Sequence, residues 1–155
     1  MRTAITLAVL LAAAAPAALA PAALAEDRVP PITDAATLKE CGACHFAFQP
    51  AFLPAESWRK IMDSLNDHFG ENASLPVDVR FHITDYLVAN AAGTGKKRHK
   101  KEHETTTGAP LRITETPMWV HEHRKLSEAA LAKAGSKVAC AACHREAARG
   151  VYEDD

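Results

Sequence analysis

The residues best suited to chemistry lie in two copies of one pattern, Cys-x-x-Cys-His, at residues 41–45 and 140–144. On a helical turn, cysteines at i and i+3 and a histidine at i+4 share one face. Two sulfurs can then bond the vinyl groups of one haem while the imidazole reaches its iron. The pattern therefore predicts two covalently bound c-type haems. The attaching cysteines are Cys41, Cys44, Cys140 and Cys143, and the proximal iron ligands are His45 and His144.

Two other roles for the cysteines fit the spacing less well. A structural zinc site built from two Cys-x-x-Cys pairs usually separates them by about 15 to 20 residues, whereas Cys44 and Cys140 lie 96 positions apart (140 minus 44). A thioredoxin-like redox pair needs a βαβ setting, and no strand pattern flanks either copy. Since the two copies use all four cysteines in the chain, no thiol is left for a disulfide framework.

The segments around the first copy are predicted to be helical. A capped helix is expected over residues 34–45. An irregular stretch over residues 46–54 follows, and its aromatic side chains are expected to pack against the haem. An apolar period of 3.6 residues indicates a second helix over residues 55–69 and a third over residues 74–90. The predicted fold class is all-α, a small helical cytochrome c with irregular loops.

Each haem iron needs a second axial ligand or an open site. His68 lies at the edge of the apolar face of the second predicted helix, and His82 lies on the flank of the third. We favour His68 for the first haem because it is nearer to His45 in sequence, and His82 is its main competitor. Met62 is a sulfur alternative, although methionine at helical spacing is more often core filler.

The second half of the chain is predicted to be a series of shorter helices. Residues 92–110 form a loop rich in Gly, Thr and basic residues. A capped helix is expected over residues 116–126, a further turn over residues 127–135, and a last helix over residues 136–150. The acidic end beyond residue 150 is expected to fray.

His123 is the favoured distal ligand for the second haem. It shares a helix face with Trp119 and Leu126, whereas His121 lies on the opposite face. We therefore predict that His68 pairs with His45 and that His123 pairs with His144. Crossed pairing stays open, and Met118 is the sulfur alternative at this site.

Residues 1–25 have the pattern of a secretory signal peptide. Arg2 precedes an apolar run over residues 4–15, and an Ala-x-Ala sequence ends at Ala25, after which we place cleavage. Proline residues shorten the apolar run below the ~20 residues that a membrane-spanning helix needs, so no stable membrane insertion is expected after cleavage. The signal predicts export to the periplasm, a compartment that also suits covalent haem attachment.

The remaining chain divides by composition into an N-terminal haem-binding half (residues 26–91), the loop (92–110) and a C-terminal haem-binding half (111–155). The formal net charge of the full 155-residue chain is −1, so neither nucleic acid nor an anionic membrane surface is expected as a partner.

The chain resembles the small dihaem cytochrome c family of periplasmic electron carriers. The resemblance covers nearly all of residues 38–150 and rests on the ordered segments CGACHFAF, LPAESW, DHFGENASL, RITETPMWVHEH and CAACH. It implies two low-potential haems with bis-histidine ligation, carried by His68 in DHFG and His123 in VHEH. It also implies an N-terminal half similar to a class I cytochrome c, a short helical C-terminal haem segment, a membrane cytochrome b-type donor and a soluble cytochrome c acceptor.

These ligands predict an electron carrier and not an enzyme. An iron held by two imidazoles in both oxidation states suits transfer of single electrons between a membrane cytochrome and a soluble haem protein or reductase. The alternative is a small haem enzyme of the peroxidase or nitrite reductase type, which would keep one iron site open. A haem-based gas sensor would need an output domain, and the sequence shows none.

Overall fold

The computed structural model describes residues 28–94 and 108–153, which form five short α-helices joined by turns of 3-10 helix. The helices are α1 (Ala35–Cys41), α2 (Ala55–Asp63), α3 (Val77–Ala89), α4 (Pro117–Glu122) and α5 (Glu128–Ala134). The 3-10 turns are Pro50–Phe52, Leu65–Asp67, Ile113–Glu115, Cys140–Ala142 and Ala147–Arg149. Extended pairing in these ranges is confined to isolated bridges. The predicted all-α class is therefore confirmed.

The main core lies in the N-terminal half, where α2 and α1 both pack against α3. Its buried members are Leu53, Trp58, Ile61, Met62, Leu65, Ile83, Leu87 and Ala91. The predicted apolar faces supply most of them, and each fully buried aliphatic side chain contributes about 1.5–3 kcal/mol. The indole Nε1–H of Trp58 donates to the carbonyl oxygen of Pro50 at 2.8 Å, so the largest core side chain buries no unpaired polar atom. This core carries the first haem motif.

Side-chain caps start three of the helices where the sequence predicts them. The carboxylate of Asp34 accepts from the backbone N–H of Thr37 at 2.7 Å at the start of α1. The hydroxyl of Thr116 accepts from the N–H of Trp119 at 3.2 Å at the start of α4, and Ser127 caps α5 in the same way. Each cap satisfies a backbone donor that has no partner within its helix.

The predicted C-terminal end of the helix over residues 55–69 is wrong, because α2 ends at Asp63. The hydroxyl of Ser64 donates to the carbonyl oxygen of Lys60 at 2.9 Å and competes with the helical hydrogen bonds. After a 3-10 turn, His68 and Glu71 exchange both backbone hydrogen bonds, at 2.7 and 3.3 Å. The residues between them, Phe69 and Gly70, have φ of 57° and 101°, as in a type I′ turn.

Three more predicted helices are shorter than expected. The first ends at Cys41 rather than at residue 45. The helix after Thr116 ends at Glu122 rather than at residue 126. The segment 136–150 contains only two 3-10 turns, and only Ala147 and Gly150 of its residues are buried. Because a short helix depends on packing an apolar face for its stability, this segment lacks the burial that a continuous helix would need.

The two ends of the described chain are joined. The N–H of Val29 donates to the carbonyl oxygen of Gly150 at 2.8 Å, and Arg28 forms an antiparallel bridge with Val151. Gly150 has a positive φ and lies close against the backbone of Val29. The expectation that the chain frays beyond residue 150 is therefore wrong for residues 151–153.

Several predictions fall outside the described residues. They are the signal peptide at residues 1–25, the basic run at residues 96–101 and most of the loop. The division of the chain into two haem-binding halves stays a prediction. No helix within residues 28–94 and 108–153 combines the length and apolar character needed to cross a membrane.

We expect Gly150→Ala to destabilise the haem-loaded protein more than Gly135→Ala does. Both glycines have a positive φ, +78° and +81°, so both substitutions incur the left-handed penalty of about 1–2 kcal/mol. A Cβ at position 150 would also collide with the carbonyl oxygen of Val29, whereas one at position 135 meets no atom within 4 Å. Overpacking should add about 1–3 kcal/mol. Guanidinium denaturation measures the difference, and equal losses would contradict it.

Candidate haem sites

The four cysteines lie at the ends of short helical turns. Cys41 is the last residue of α1, and Cys44 follows in the turn after it. Cys140 begins a 3-10 turn that ends just before Cys143. In each pair the first cysteine is half-buried and the second is exposed. Burial raises the pKa of Cys41 to about 11 and also raises that of Cys140.

The structure brings His45 and His68 together. Their ring centroids lie 6.1 Å apart, and the two ring planes are nearly parallel, at 18°. His45 follows the turn that ends α1, and His68 opens the type I′ turn after α2. Burial, followed by the charges of His45 and Arg112, lowers the pKa of His68, so the neutral imidazole that can bind iron is favoured.

The structure also brings His123 and His144 together, again with 6.1 Å between ring centroids but with planes at 88°. His123 is the C-terminal cap of α4, and His144 follows the 3-10 turn of the second motif. The pairs that meet are thus the two pairs predicted from sequence.

The 6.1 Å separation fits an iron atom between the rings of each pair. Two metal–imidazole bonds of about 2 Å each, plus about 1 Å from each bonded nitrogen to its ring centre, give about 6 Å. A structural zinc site would need four protein ligands. Within residues 28–94 and 108–153 no group of three or more His, Cys, Asp or Glu side chains is arranged to hold a metal ion. The residues therefore fit two haems better than zinc.

Backbone carbonyls orient three of the four imidazoles. The Nδ1 atoms of His45, His123 and His144 lie 2.7, 3.0 and 3.2 Å from the carbonyl oxygens of Phe46, Trp119 and Glu153. Because a carbonyl oxygen can only accept, each of these hydrogen bonds requires an Nδ1–H donor. The lone pair of each ring is then on Nε2, which is the arrangement that outer-shell hydrogen bonds commonly impose on metal-binding histidines.

An aromatic ring lies against each of the four imidazoles. Phe48 stacks on His45 at 5.3 Å between centroids, and Phe69 meets His68 edge-on at 4.8 Å. The closest contact joins Trp119 and His123, at 4.3 Å with planes 10° apart. Tyr152 lies 5.5 Å from His144. These rings limit how each imidazole can rotate.

Two cavities adjoin the first pair of histidines. One, of about 350 Å³, is lined by His68, Phe69 and Arg112, among others. The guanidinium Cζ of Arg112 lies 4.1 Å from the centre of the Phe69 ring. The other cavity, of about 210 Å³, is lined by His45 and Phe46 on one side and by residues of the segment 136–142 on the other. The second Cys-x-x-Cys-His motif therefore lies beside the first site.

The competing ligands lie elsewhere. The Nε2 atom of His82 pairs with the Asp34 carboxylate at 2.8 Å and so joins α3 to the start of α1. The bonds from Thr37, together with His82, lower the pKa of Asp34 to about 2, so this carboxylate is charged at all working pH values. Met62 is 3% exposed within the core. His121 is exposed beside Glu122.

Sequence reasoning missed Gln49 and Tyr152. Gln49 stands in the irregular aromatic stretch, yet it is only 1% exposed. Tyr152 lies in the segment expected to fray, yet burial raises its pKa. No spacing signal marks either residue, because their partners lie about 100 positions away in the chain.

Comparisons with known proteins point to one family. The family model for dihaem cytochrome c matches residues 37–152. A comparison with curated proteins found no match. Two solved structures from Rhodobacter sphaeroides are similar. One, titled a diheme cytochrome c, is 43% identical, with a TM-score of 0.74 over 80% of this chain and 100% of that one. The other, titled DHC, is 44% identical, with a TM-score of 0.66 over 79% and 99%.

A diheme cytochrome type c from Shewanella baltica OS155 is also similar, at 33% identity, with a TM-score of 0.62 over 77% of this chain and 86% of that one. The predicted family and the predicted cofactors are thus confirmed. With four cysteines in two haem-attachment motifs and a family match over three quarters of its length, the chain belongs to the dihaem cytochrome c family and carries two c-type haems.

Proposed function

We propose that this protein relays single electrons in the periplasm between a membrane cytochrome b-type donor and a soluble cytochrome c acceptor. In this proposal, His45 and His68 hold one haem iron, and His144 and His123 hold the other. The observation that carries it is the 6.1 Å separation of both ring pairs. Family membership supports electron transfer in general, and the export signal predicted in residues 1–25 supports the compartment.

A haem bound between two imidazoles gains and loses one electron with little change of geometry. The chain's own residues contribute by filling the axial positions and by holding them filled. Carbonyl oxygens fix the rings of His45, His123 and His144, while packed aromatic rings restrict all four imidazoles. Because a substrate would need a vacant axial position, these residues favour a carrier over a small haem enzyme.

A cavity shared by the two haem-attachment segments supports electron exchange between the two sites. The cavity bounded by His45 and Phe46 is closed on its other side by Ala141 and Ala142 of the second motif. This proximity of the two haem-attachment segments supports internal transfer, which a relay between a membrane donor and a soluble acceptor requires.

Removing either distal histidine should open one iron and leave the other unchanged. In oxidised His68→Ala and in His123→Ala, we expect electron paramagnetic resonance (EPR) to show one of two low-spin signals replaced by a high-spin signal. His82→Ala and His121→Ala are matched controls, since His82 pairs with Asp34 and His121 is exposed beside Glu122. A high-spin signal in His82→Ala, with none in His68→Ala, would reassign the first distal ligand.

The two sites should also give different low-spin spectra. Parallel imidazole planes act on the same iron d orbital, whereas perpendicular planes act on two and leave them nearly equal in energy. With planes at 18° and 88°, the oxidised protein should show one rhombic signal and one signal dominated by a single large g value. His123→Ala should remove the large-g signal and His68→Ala the rhombic one. Loss of the signals in the opposite order would contradict the ring geometry.

Carbon monoxide distinguishes the carrier from the enzyme. We expect no shift of the Soret absorption band when carbon monoxide is added to the reduced protein, because both axial positions of each iron are occupied. The reduced His68→Ala variant serves as the positive control and should bind carbon monoxide at one site. Binding by the unaltered protein would favour the small haem enzyme.

A further inference from the structure

One buried side chain joins the two haem-attachment segments. Gln49 is 1% exposed, and its Nε2–H donates to the carbonyl oxygen of Ala147 at 2.7 Å. Its Oε1 accepts from the hydroxyl of Tyr152. Both ends of one amide are thus paired with the C-terminal segment. We call Gln49, Ala147 and Tyr152 the Gln49 clamp.

The clamp contacts the second site and adjoins, in sequence, a residue that packs on the first. On one side, Tyr152 packs against His144 at 5.5 Å and against the ring of Phe52 at 5.1 Å. On the other side, Gln49 directly follows Phe48, the ring that stacks on His45 at 5.3 Å. The clamp therefore links the segment that contains His144 to the residue that follows Phe48 in the chain.

A polar clamp specifies position more sharply than apolar contact does. An apolar surface can slide against another at little cost, but a buried amide loses its partners when its neighbour moves, and an unpaired buried polar group is costly. A fully satisfied buried network therefore rigidifies its surroundings. Neither α4 nor α5 buries a residue against other parts of the described chain, so the Gln49 hydrogen bonds supply a directional contact that these helices do not.

We propose that Gln49 and Tyr152 are positioning residues that hold the His144 segment at a fixed distance and orientation from the His45 segment, and so set the rate of electron exchange between the two haem sites. This inference rests on the proposed electron-transfer function. In each exchange one electron leaves ferrous iron at one histidine pair and reduces ferric iron at the other. One iron is oxidised, the other is reduced, and no bond forms or breaks.

The test compares two tyrosine variants of the haem-loaded protein. Tyr152→Phe keeps the ring against His144 but removes the hydroxyl that Gln49 accepts from. Tyr86→Phe is the matched control, because it removes a hydroxyl that accepts from the N–H of Thr33 at 3.0 Å instead. Gln49→Met breaks the same clamp from its other end with a side chain of similar length. The pairing of Val29 with Gly150 is retained in all three.

The exchange rate is measured in half-reduced protein by two-dimensional exchange NMR of the haem methyl resonances. We expect a severalfold slower exchange in Tyr152→Phe and in Gln49→Met, with the rate of Tyr86→Phe equal to that of the unaltered protein. The EPR signal of the His123 and His144 site should change in the clamp variants, while that of the His45 and His68 site stays the same.

Unchanged exchange in Tyr152→Phe, or equal slowing in Tyr86→Phe, would overturn the inference. If Gln49→Met does not take up both haems, Tyr152→Phe decides alone, since it changes one hydroxyl only. Failure of the clamp and failure of the proposed function are distinguishable. The first leaves two low-spin irons in every variant, whereas the second would appear as a high-spin or carbon monoxide-binding iron in the unaltered protein.

Discussion

Two imidazole rings can hold one iron between them only if their centres stand about 6 Å apart, and this chain meets that requirement twice, at 6.1 Å in both places. The rest of the structure can be understood as the means of keeping four rings in those positions. Three rings are tied through Nδ1 to carbonyl oxygens, and all four are packed against an aromatic side chain. Rings held in this way need not reorganise when the charge on iron changes.

The requirement explains why the helices are short and why they end where they do. Cys41 is the last residue of α1, His123 caps α4, and His68 opens the turn that follows α2. Ligands at helix ends and turns can be aimed independently of a helical face. In the turn that begins at His68, Phe69 has a positive φ of 57°, a conformation that is uncommon for a bulky residue. Such local strain is tolerated when the surrounding packing compensates for it.

The two halves reach the same ring separation by different means. The first site stands on the α2 and α3 core, where Leu53 and Ile83 are almost wholly buried. The second site has little core of its own and is held by ties to the first half, through Gly150 to Val29 and through Ala147 and Tyr152 to Gln49. In the C-terminal half, these directional hydrogen bonds add to the packing of Ile113 against the core and of Arg112 against Phe69.

The cofactor, the helical class and the candidate ligands follow from the amino-acid sequence, because they depend on local spacing. A Cys-x-x-Cys-His pattern is complete within five residues, and helical periodicity placed His123 rather than His121 among the apolar side chains. Tertiary structure alone decided what depends on distant partners. The choice between His68 and His82 as the candidate ligand is one example. The turn after Asp63 brings His68 to His45, whereas His82 pairs with Asp34. The angle between the rings of each pair depends on how separate segments pack, and the Gln49 contacts join segments about 100 residues apart. No local pattern in a sequence records either feature.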